Sequence, residues 1–167
     1  MFIRKTIATL LVLACSTSFA IAQDETACYD RVEGADPANT FLNKPMSDYW
    51  RQMLKLADEK LMGQLAGSYY GERRSPDGVY VNQQTRRFEA NGLFDYSDQT
   101  CTIGSQIPCS QNQGTGEWRA VNQTDGSTYM MIRFSDLIRT NACSGDRITP
   151  GNSGYTDEGG VFWQRRG

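Results

Sequence analysis

The feature that most constrains this chain is a turn signature that occurs three times between Gly67 and Phe134. The copies are Ser75-Pro76-Asp77-Gly78, Glu89-Ala90-Asn91-Gly92 and Gln123-Thr124-Asp125-Gly126. Asp or Asn followed by Gly favours a type I turn that ends in a glycine with positive φ, and this geometry closes a β-hairpin with a three-residue loop. Each copy therefore predicts a hairpin, and together they predict an antiparallel β domain.

The third turn sorts the flanking side chains onto two faces. A loop of residues 124–126 places Trp118 opposite Ile132 on one face and Glu117 opposite Arg133 on the other. A shift of one residue would mix apolar and charged side chains on each face, which a half-buried strand pair does not tolerate. The register thus predicts a dry inner face and an ion pair on the outer face.

The second turn leads to the same arrangement. A loop of residues 90–92 pairs Phe88 with Phe94 inside and Arg87 with Asp95 outside. Aromatic pairs and opposite charges directly across a strand pair both stabilise a hairpin. Two independent hairpins therefore predict one apolar interior.

The first turn is less regular. A loop of residues 76–78 leaves Tyr69 and Phe88 on opposite faces of their strand pair. Both are large aromatic side chains, which are expected to share the interior. We therefore predict a β-bulge between Asn82 and Arg86, because one extra residue would restore the common face.

The alternative to the bulge is a regular strand. In that case Asn82, Gln84 and Arg86 all point inward beside Phe88. The interior would then have one polar end, which a cavity for a ligand requires.

The N-terminus has the pattern of a secretory signal peptide over residues 1–22. Arg4 and Lys5 precede an apolar stretch, and Ala20-Ile21-Ala22 forms a small-x-small cleavage site. The apolar stretch is shorter than a membrane span, so no transmembrane segment is expected. The alternative is a lipoprotein with a lipid anchor at Cys15. We expect an exported protein, located in the periplasm or outside the cell.

Removal of the signal leaves four cysteines, an even number that predicts two disulfide bonds in an exported chain. Four cysteines allow three pairings. Cys101 and Cys109 flank a loop between two predicted strands, which favours a bond between them. The second bond would then join Cys28 to Cys143 and hold the N-terminal segment.

The composition argues against an enzyme. The chain has no histidine, which excludes Ser-His and Cys-His mechanisms and most zinc catalysis. Among the carboxylates, Asp95 and Glu117 are predicted to face arginines, and an adjacent cation keeps a carboxylate ionised and unsuited to act as a general acid. A net charge of −2 provides no basic surface for nucleic acid. We expect no catalytic residues, no metal, no cofactor and no nucleic-acid partner.

The remaining chain divides into an extended N-terminal segment, residues 23–46, and a helix with a β-barrel domain, residues 47–167. Ser47 is the predicted N-cap, and the helix is expected to end at Gly63. Its apolar face consists of Trp50, Met53, Leu54, Ala57 and Leu61. The expected docking surface is an outward apolar cluster, Val121, Tyr129 and Met131. The alternative for this cluster is a patch that binds a partner.

Beyond Phe134 the strand pattern is weaker. Residues 136–141 are expected to continue a strand, 146–149 to form a short one and 160–166 to form the last. The predicted fold is mainly β: an antiparallel up-and-down β-barrel, or a strongly curled sheet, of six to eight strands with one N-terminal amphipathic helix packed against it.

The order of elements resembles that of lipocalin-like barrels. A helix is followed by Gly67-Ser68-Tyr69 and by successive hairpins, with Gly116-Glu117-Trp118 in mid-sheet. Members of that family open their first strand with Gly-x-Trp, and here Tyr69 stands in place of the Trp. The resemblance implies a small closed barrel whose interior or mouth holds an apolar ligand.

We expect an exported, non-enzymatic binding protein for a small, largely apolar ligand. The expected ligand-binding residues are Tyr69, Arg86, Phe88, Phe94, Trp118, Met130 and Ile132. The alternative for the same side chains is a solid core. A second hypothesis is a module that binds an extracytoplasmic protein, such as a hydrolase inhibitor, through the loop closed by Cys101 and Cys109. A third is an envelope structural protein or lipoprotein component.

Overall fold

The computed structural model describes residues 25–31, 40–135 and 141–167. The predicted signal peptide, Cys15 and most of the predicted strand at 136–141 lie outside these ranges. In chain order the described elements are β1 (Tyr29–Arg31), β2 (Thr40–Leu42), α1 (Lys44–Leu56), α2 (Glu59–Leu65), β3 (Gly67–Arg74), β4 (Tyr80–Phe88), β5 (Leu93–Thr102), β6 (Ser110–Asn122), β7 (Thr128–Ser135), β8 (Asn141–Gly151), β9 (Gly154–Asp157) and β10 (Phe162–Arg166).

Strands β3 to β10 form a closed barrel in which every neighbouring pair is antiparallel. Strand β10 closes the barrel against β3, and the other strands follow one another in chain order. Strands β1 and β2 form a separate two-stranded sheet. The mainly β fold and the up-and-down barrel predicted from the sequence are therefore confirmed.

The hairpins at Gly92 and Gly126 have the predicted registers. The two glycines have φ values of 87° and 82°, in the left-handed region that the turn requires. Trp118 lies opposite Ile132, as the second of these registers demands. The outer ion pairs also form, since Arg87 Nε lies 2.7 Å from Asp95 Oδ2 and Arg133 contacts Glu117.

The bulge predicted between Asn82 and Arg86 is wrong. Strand β4 pairs without interruption with both β3 and β5. The first turn instead has one more loop residue than expected, because Val79 belongs to the loop. Asp77 Oδ1 accepts a hydrogen bond from the Val79 amide at 3.0 Å, and Ser75 Oγ accepts one from the Tyr80 amide at 2.9 Å. These side-chain bonds stabilise the longer loop.

This longer loop decides which side chains enter the barrel. It places Tyr69 opposite Arg86, so that Tyr69 and Phe88 share the inner face. Asn82 and Gln84 have the same parity and also point inward. The interior therefore has a polar end, as the regular-strand alternative required.

A further hairpin turn, at Asp157-Glu158-Gly159-Gly160, has the same geometry without the Asp-Gly or Asn-Gly sequence. The Gly160 amide donates to the Asp157 carbonyl at 2.9 Å, and Gly160 has a φ of 77°. The expected last strand at 160–166 therefore begins two residues later, at Phe162.

Two helices replace the single helix expected from Ser47. Helix α1 begins earlier, after an Asn43 cap that accepts from the Met46 amide, so the extended segment ends before Lys44. The chain then breaks at Asp58, whose amide donates to the Ala120 carbonyl of the barrel at 3.0 Å. The Asp58 side chain caps α2. A tertiary hydrogen bond thus divides the predicted apolar stripe into two.

Helix α1 packs on the outside of the barrel. Trp50 and Met53 form a buried cluster with Met131 and Cys28. Val121 and Tyr129 pack against the edge of that cluster. The predicted docking of the helix on this outward surface is confirmed.

Helix α2 closes one end of the barrel. Leu61, Met62 and Leu65 are buried against the barrel interior. Met62 also lies next to Gly92 in the turn between β4 and β5. This end of the barrel is therefore packed with side chains.

Both predicted disulfide bonds are present. Cys28 bonds to Cys143 and Cys101 bonds to Cys109. The first holds the segment before α1 against β8, and the second closes the loop between β5 and β6. In the part of the chain that the structure describes, no helix has both the length and the apolar character needed to span a membrane.

Candidate ligand-binding site in the barrel mouth

The barrel interior changes from apolar to polar in layers that the strand registers define. From the end closed by α2 toward the open mouth, these layers are Phe88, Phe94, Gly116 and Phe134, then Arg86, Tyr96 and Gly114, then Gln84, Asp98 and Asn112, and finally Asn82, Thr100 and Ser110. Because side chains alternate along a strand, each layer lies two residues from the next. Polarity therefore rises toward the mouth.

The apolar half of the barrel is a filled core. It contains six of the seven predicted ligand-binding residues, all buried: Tyr69, Phe88, Phe94, Trp118, Met130 and Ile132. The ring centroids of Phe88 and Trp118 are 4.9 Å apart, and those of Phe88 and Phe94 are 5.1 Å apart. The structure thus brings these side chains together, but they pack against one another and do not line the cavity described next.

A half-open cavity of about 830 Å³ lies above this core, in the polar half of the barrel. Its inward-facing lining residues are Gln84, Arg86, Tyr96, Asp98, Asn112, Gly114, Phe134 and Ala142. Arg86 is the one predicted ligand-binding residue in this lining. A cavity of this size suits a small organic molecule.

Arg86 is held in place at the floor of the cavity. Its guanidinium carbon lies 3.7 Å from the centroid of the Trp163 ring, and its Nε and Nη2 donate to Gln84 Oε1 at 3.3 and 3.1 Å. Within the described ranges Arg86 forms no ion pair. A partly buried, oriented guanidinium is a strong donor for an anionic group.

Trp163 is itself anchored from below. Its Nε1 donates to Asp157 Oδ2 at 2.9 Å, and Asp157 is buried. Gly71 gives the ring its space, because a Cβ at that position would lie 2.8 Å from the ring. Arg73 contributes positive charge at 3.8 Å from Asp157 Oδ2. The orientation of Arg86 therefore depends on a chain of contacts that includes β10, β9 and β3.

Burial dominates the titration of the groups near Arg86. Burial raises the pKa of Asp146, and the negative charge of Asp157 raises it further, while Arg86 opposes both. Burial also raises the pKa of Tyr155, so its hydroxyl stays protonated at neutral pH. The floor of the site thus combines one oriented cation with neutral and acidic groups beneath it.

An aromatic wall stands beside Arg86. Tyr96 and Phe134 are partly buried and meet edge to face, with centroids 5.1 Å apart. Gly114 makes this arrangement possible, because a Cβ there would lie 2.7 Å from the Tyr96 ring. Asn112 Nδ2 donates to the Tyr96 hydroxyl at 3.4 Å. The wall offers ring surface, and the amides of the next layer offer hydrogen bonds.

Among the mouth residues, Arg86 was a predicted ligand contact and Gln84 faced inward in the regular-strand alternative. Tyr96 and Asp98 were not predicted, although part of the signal was present. Tyr96 and Asp98 follow Phe94 at intervals of two, so extending the register of the second hairpin would have placed both inside. Trp163 gave no comparable signal, because its neighbour Arg86 lies in a distant strand. Barrel closure through β10 brings the two together.

The carboxylates considered for catalysis lie on the outer face. Asp95 pairs with Arg87, and Glu117 contacts both Arg133 and Arg119. Within residues 25–31, 40–135 and 141–167, no group of three His, Cys, Asp or Glu side chains is placed to hold a metal ion.

The fold and the site together define an antiparallel up-and-down barrel with a filled apolar end and a partly polar, open mouth. Comparisons of the chain with protein-family models, curated proteins and solved structures found no match. The likeness to lipocalin-like barrels therefore rests on the sequence features given above.

Proposed function

We propose that this protein is an exported, non-enzymatic binding protein that holds a small amphipathic molecule in the mouth of its barrel. The observation that carries this proposal is the cavity of about 830 Å³ with Arg86 at its floor. The sequence favoured a largely apolar ligand. Core side chains fill the apolar half, so the space left for a ligand has a lining that is partly aromatic and partly polar. The proposed ligand is therefore amphipathic and not largely apolar.

The lining suits a molecule with a ring system and an anionic group. The rings of Tyr96 and Phe134 would contact the ring system, and Arg86 would hold the anion through charge-assisted hydrogen bonds. Gln84 and Asn112, one layer nearer the mouth, would bind polar substituents at the rim. Ligand sites commonly combine apolar surface with a few oriented polar groups in this way.

Separate observations support the two other parts of the proposal, namely that the protein is exported and that it is not an enzyme. The N-terminal signal pattern and the two disulfide bonds favour an oxidising, extracytoplasmic location. The lack of histidine and the arginine partners of Asp95 and Glu117 favour a binding role. The eight strands of the barrel agree in number with a lipocalin-like architecture.

Anilinonaphthalene sulfonate is a suitable probe, because it joins a ring system to an anion. We expect its fluorescence to rise on binding, with a dissociation constant on the order of 10⁻⁵ M, as is usual for a ligand of that size. The Asn112→Trp variant places an indole in the mouth and should weaken binding at least tenfold. Asn112 is exposed, so the barrel should remain folded.

The adjacent residue provides the matched control. Gln111→Trp puts the same indole on the outer face, outside the lining of the cavity, and should leave probe binding unchanged. Phenylnaphthylamine, which has the rings without the sulfonate, should bind roughly tenfold more weakly, because it forgoes the contact with Arg86. Equal binding by the two tryptophan variants would place the probe elsewhere and contradict the proposal.

A protein-binding module is a second candidate, favoured by the exposed apolar residues at the mouth end. Ile107 is 74% exposed in the loop that Cys101 and Cys109 close, and Ile103 is 47% exposed. The Ile103 amide donates to the Val79 carbonyl at 2.8 Å, which ties this loop to the first turn. A constrained loop loses little entropy when it docks into the cleft of a hydrolase.

The test of this second candidate is capture of a hydrolase from an extracytoplasmic extract. The double variant Ile103→Ser/Ile107→Ser should retain its melting temperature and lose capture. Capture of the same hydrolase by both forms would exclude this loop as the binding surface. The third hypothesis, an envelope component, depends on acylation of Cys15, which lies outside the described residues.

A further inference from the structure

The outer face of β4, β5 and β6 carries a continuous surface of uncharged polar side chains, here called the amide surface. It consists of Gln83, Thr85, Ser97, Gln99, Gln111 and Gln113. The registers arrange it in two rows across the three strands. Gln83, Gln99 and Gln111 form one row, and Thr85, Ser97 and Gln113 form the other.

Charged pairs surround the amide surface on the same outer face. Arg87 and Asp95 form an ion pair in the row next to it, and Arg74 contacts Glu72 at 3.1 Å on the neighbouring strand β3. Charged residues make up 22% of the chain, yet none occurs in the two rows. Gln83 lies opposite Glu72 and donates to its carboxylate at 3.2 Å, so the six uncharged residues adjoin a negative charge on β3.

The amide surface lies in a groove of about 610 Å³ with Tyr70 on its border, and Asp98 and Asn112 of the barrel mouth also line this groove. The backbone groups of β4 to β6 are paired within the sheet, so the side chains are the groups that can bind a partner. A primary amide both donates and accepts hydrogen bonds. Three strands at the usual spacing give a strip about 10 Å wide.

We propose that this groove binds a neutral polyhydroxylated chain, that is, a glycan. Hydroxyl groups both donate and accept, as the amides do, and the carboxylate of Asp98 in the groove lining disfavours an anionic ligand. A protein partner fits less well, because interface cores depend on apolar and aromatic anchors. Tyr70 is the single aromatic residue on the border, and Arg166 already lies over its ring at 4.2 Å.

Affinity electrophoresis in native gels containing mixed-linkage β-glucan, xylan or dextran tests this inference. At least one of these neutral polysaccharides should retard the wild-type protein. The double variant Gln99→Ala/Gln111→Ala removes a cross-strand pair of amides and should weaken retardation roughly tenfold or more, because the hydrogen bonds of both side chains to the glycan are lost. A matched control, Gln106→Ala/Gln123→Ala, changes two exposed glutamines outside the surface and should behave as wild type.

Three outcomes would overturn the glycan site: no retardation by any of the three polysaccharides, equal retardation of both double variants, or retardation by anionic alginate alone. A wild-type dimer in sedimentation that the Gln99→Ala/Gln111→Ala variant loses would assign the surface to a second copy of the chain and also overturn it. Arg86→Gln removes the cation at the floor of the mouth and lies outside the groove, so it should weaken probe binding and leave retardation unchanged. The probe-binding experiment, which tests the mouth, and the polysaccharide experiment, which tests the groove, can therefore fail independently of each other.

Discussion

Replacing Cys28 and Cys143 together by serine should lower the free energy of unfolding by about 5 kcal/mol. The two cysteines are 115 residues apart, so their bond removes a large amount of conformational entropy from the unfolded chain. Cys28 is also fully buried beside Trp50 and Met131. A loss of this size is comparable with the whole stability of many small domains.

The second disulfide bond provides the control for this prediction. Cys101 and Cys109 are 8 residues apart, and the same entropic relation gives about 2.5 kcal/mol for their bond. Urea unfolding followed by far-ultraviolet circular dichroism measures both losses. Near-ultraviolet dichroism reports on Trp50, whose signal should weaken in the first double variant alone. Equal losses from the two serine pairs would show that chain entropy is not the main contribution.

Trp163→Ala should destabilise the barrel by about 3–5 kcal/mol, the usual cost of removing a large buried aromatic side chain. Three contacts would be lost together. The ring supports Arg86, its Nε1 satisfies the buried Asp157 carboxylate, and its face fills the space above Gly71. Trp163 belongs to β10, the strand that closes the barrel against β3.

Trp163→Phe separates packing from hydrogen bonding. Phenylalanine keeps most of the ring and removes only the donor to Asp157, so we expect a loss of about 1–3 kcal/mol. Thermal and urea unfolding measure both variants. Binding of anilinonaphthalene sulfonate should weaken in the alanine variant at a temperature where it is still folded, because Arg86 loses its support. Unchanged binding in that variant would show that Trp163 does not position Arg86.

Local chemistry accounts for the features that were predicted correctly. At Gly92 and Gly126 the turn type depends on neighbouring residues, and strict alternation then transmits the register along both strands. This is why Trp118 and Ile132 could be placed on the inner face in advance. The disulfide between Cys101 and Cys109 followed from the same hairpin arrangement.

The failures have equally specific causes. Ser75 and Asp77 stabilise a longer first loop, so the expected bulge is unnecessary and Arg86 points inward. The break before α2 depends on a hydrogen bond from Asp58 to Ala120, which no pattern within the helix reveals.

The sequence by itself determined the hairpins at Gly92 and Gly126, the inner and outer faces of β5 to β7 and the Cys101–Cys109 pair, because these follow from turn chemistry and alternation over short distances. The pairing of Cys28 with Cys143 was the one left for the other two cysteines. The tertiary structure alone decided where the space for a ligand lies. Packing fills the apolar half with the aromatic side chains and α2, and closure of β10 against β3 brings Trp163 beneath Arg86. Such contacts join residues far apart in the chain, and only the closed barrel brings them within reach of one another.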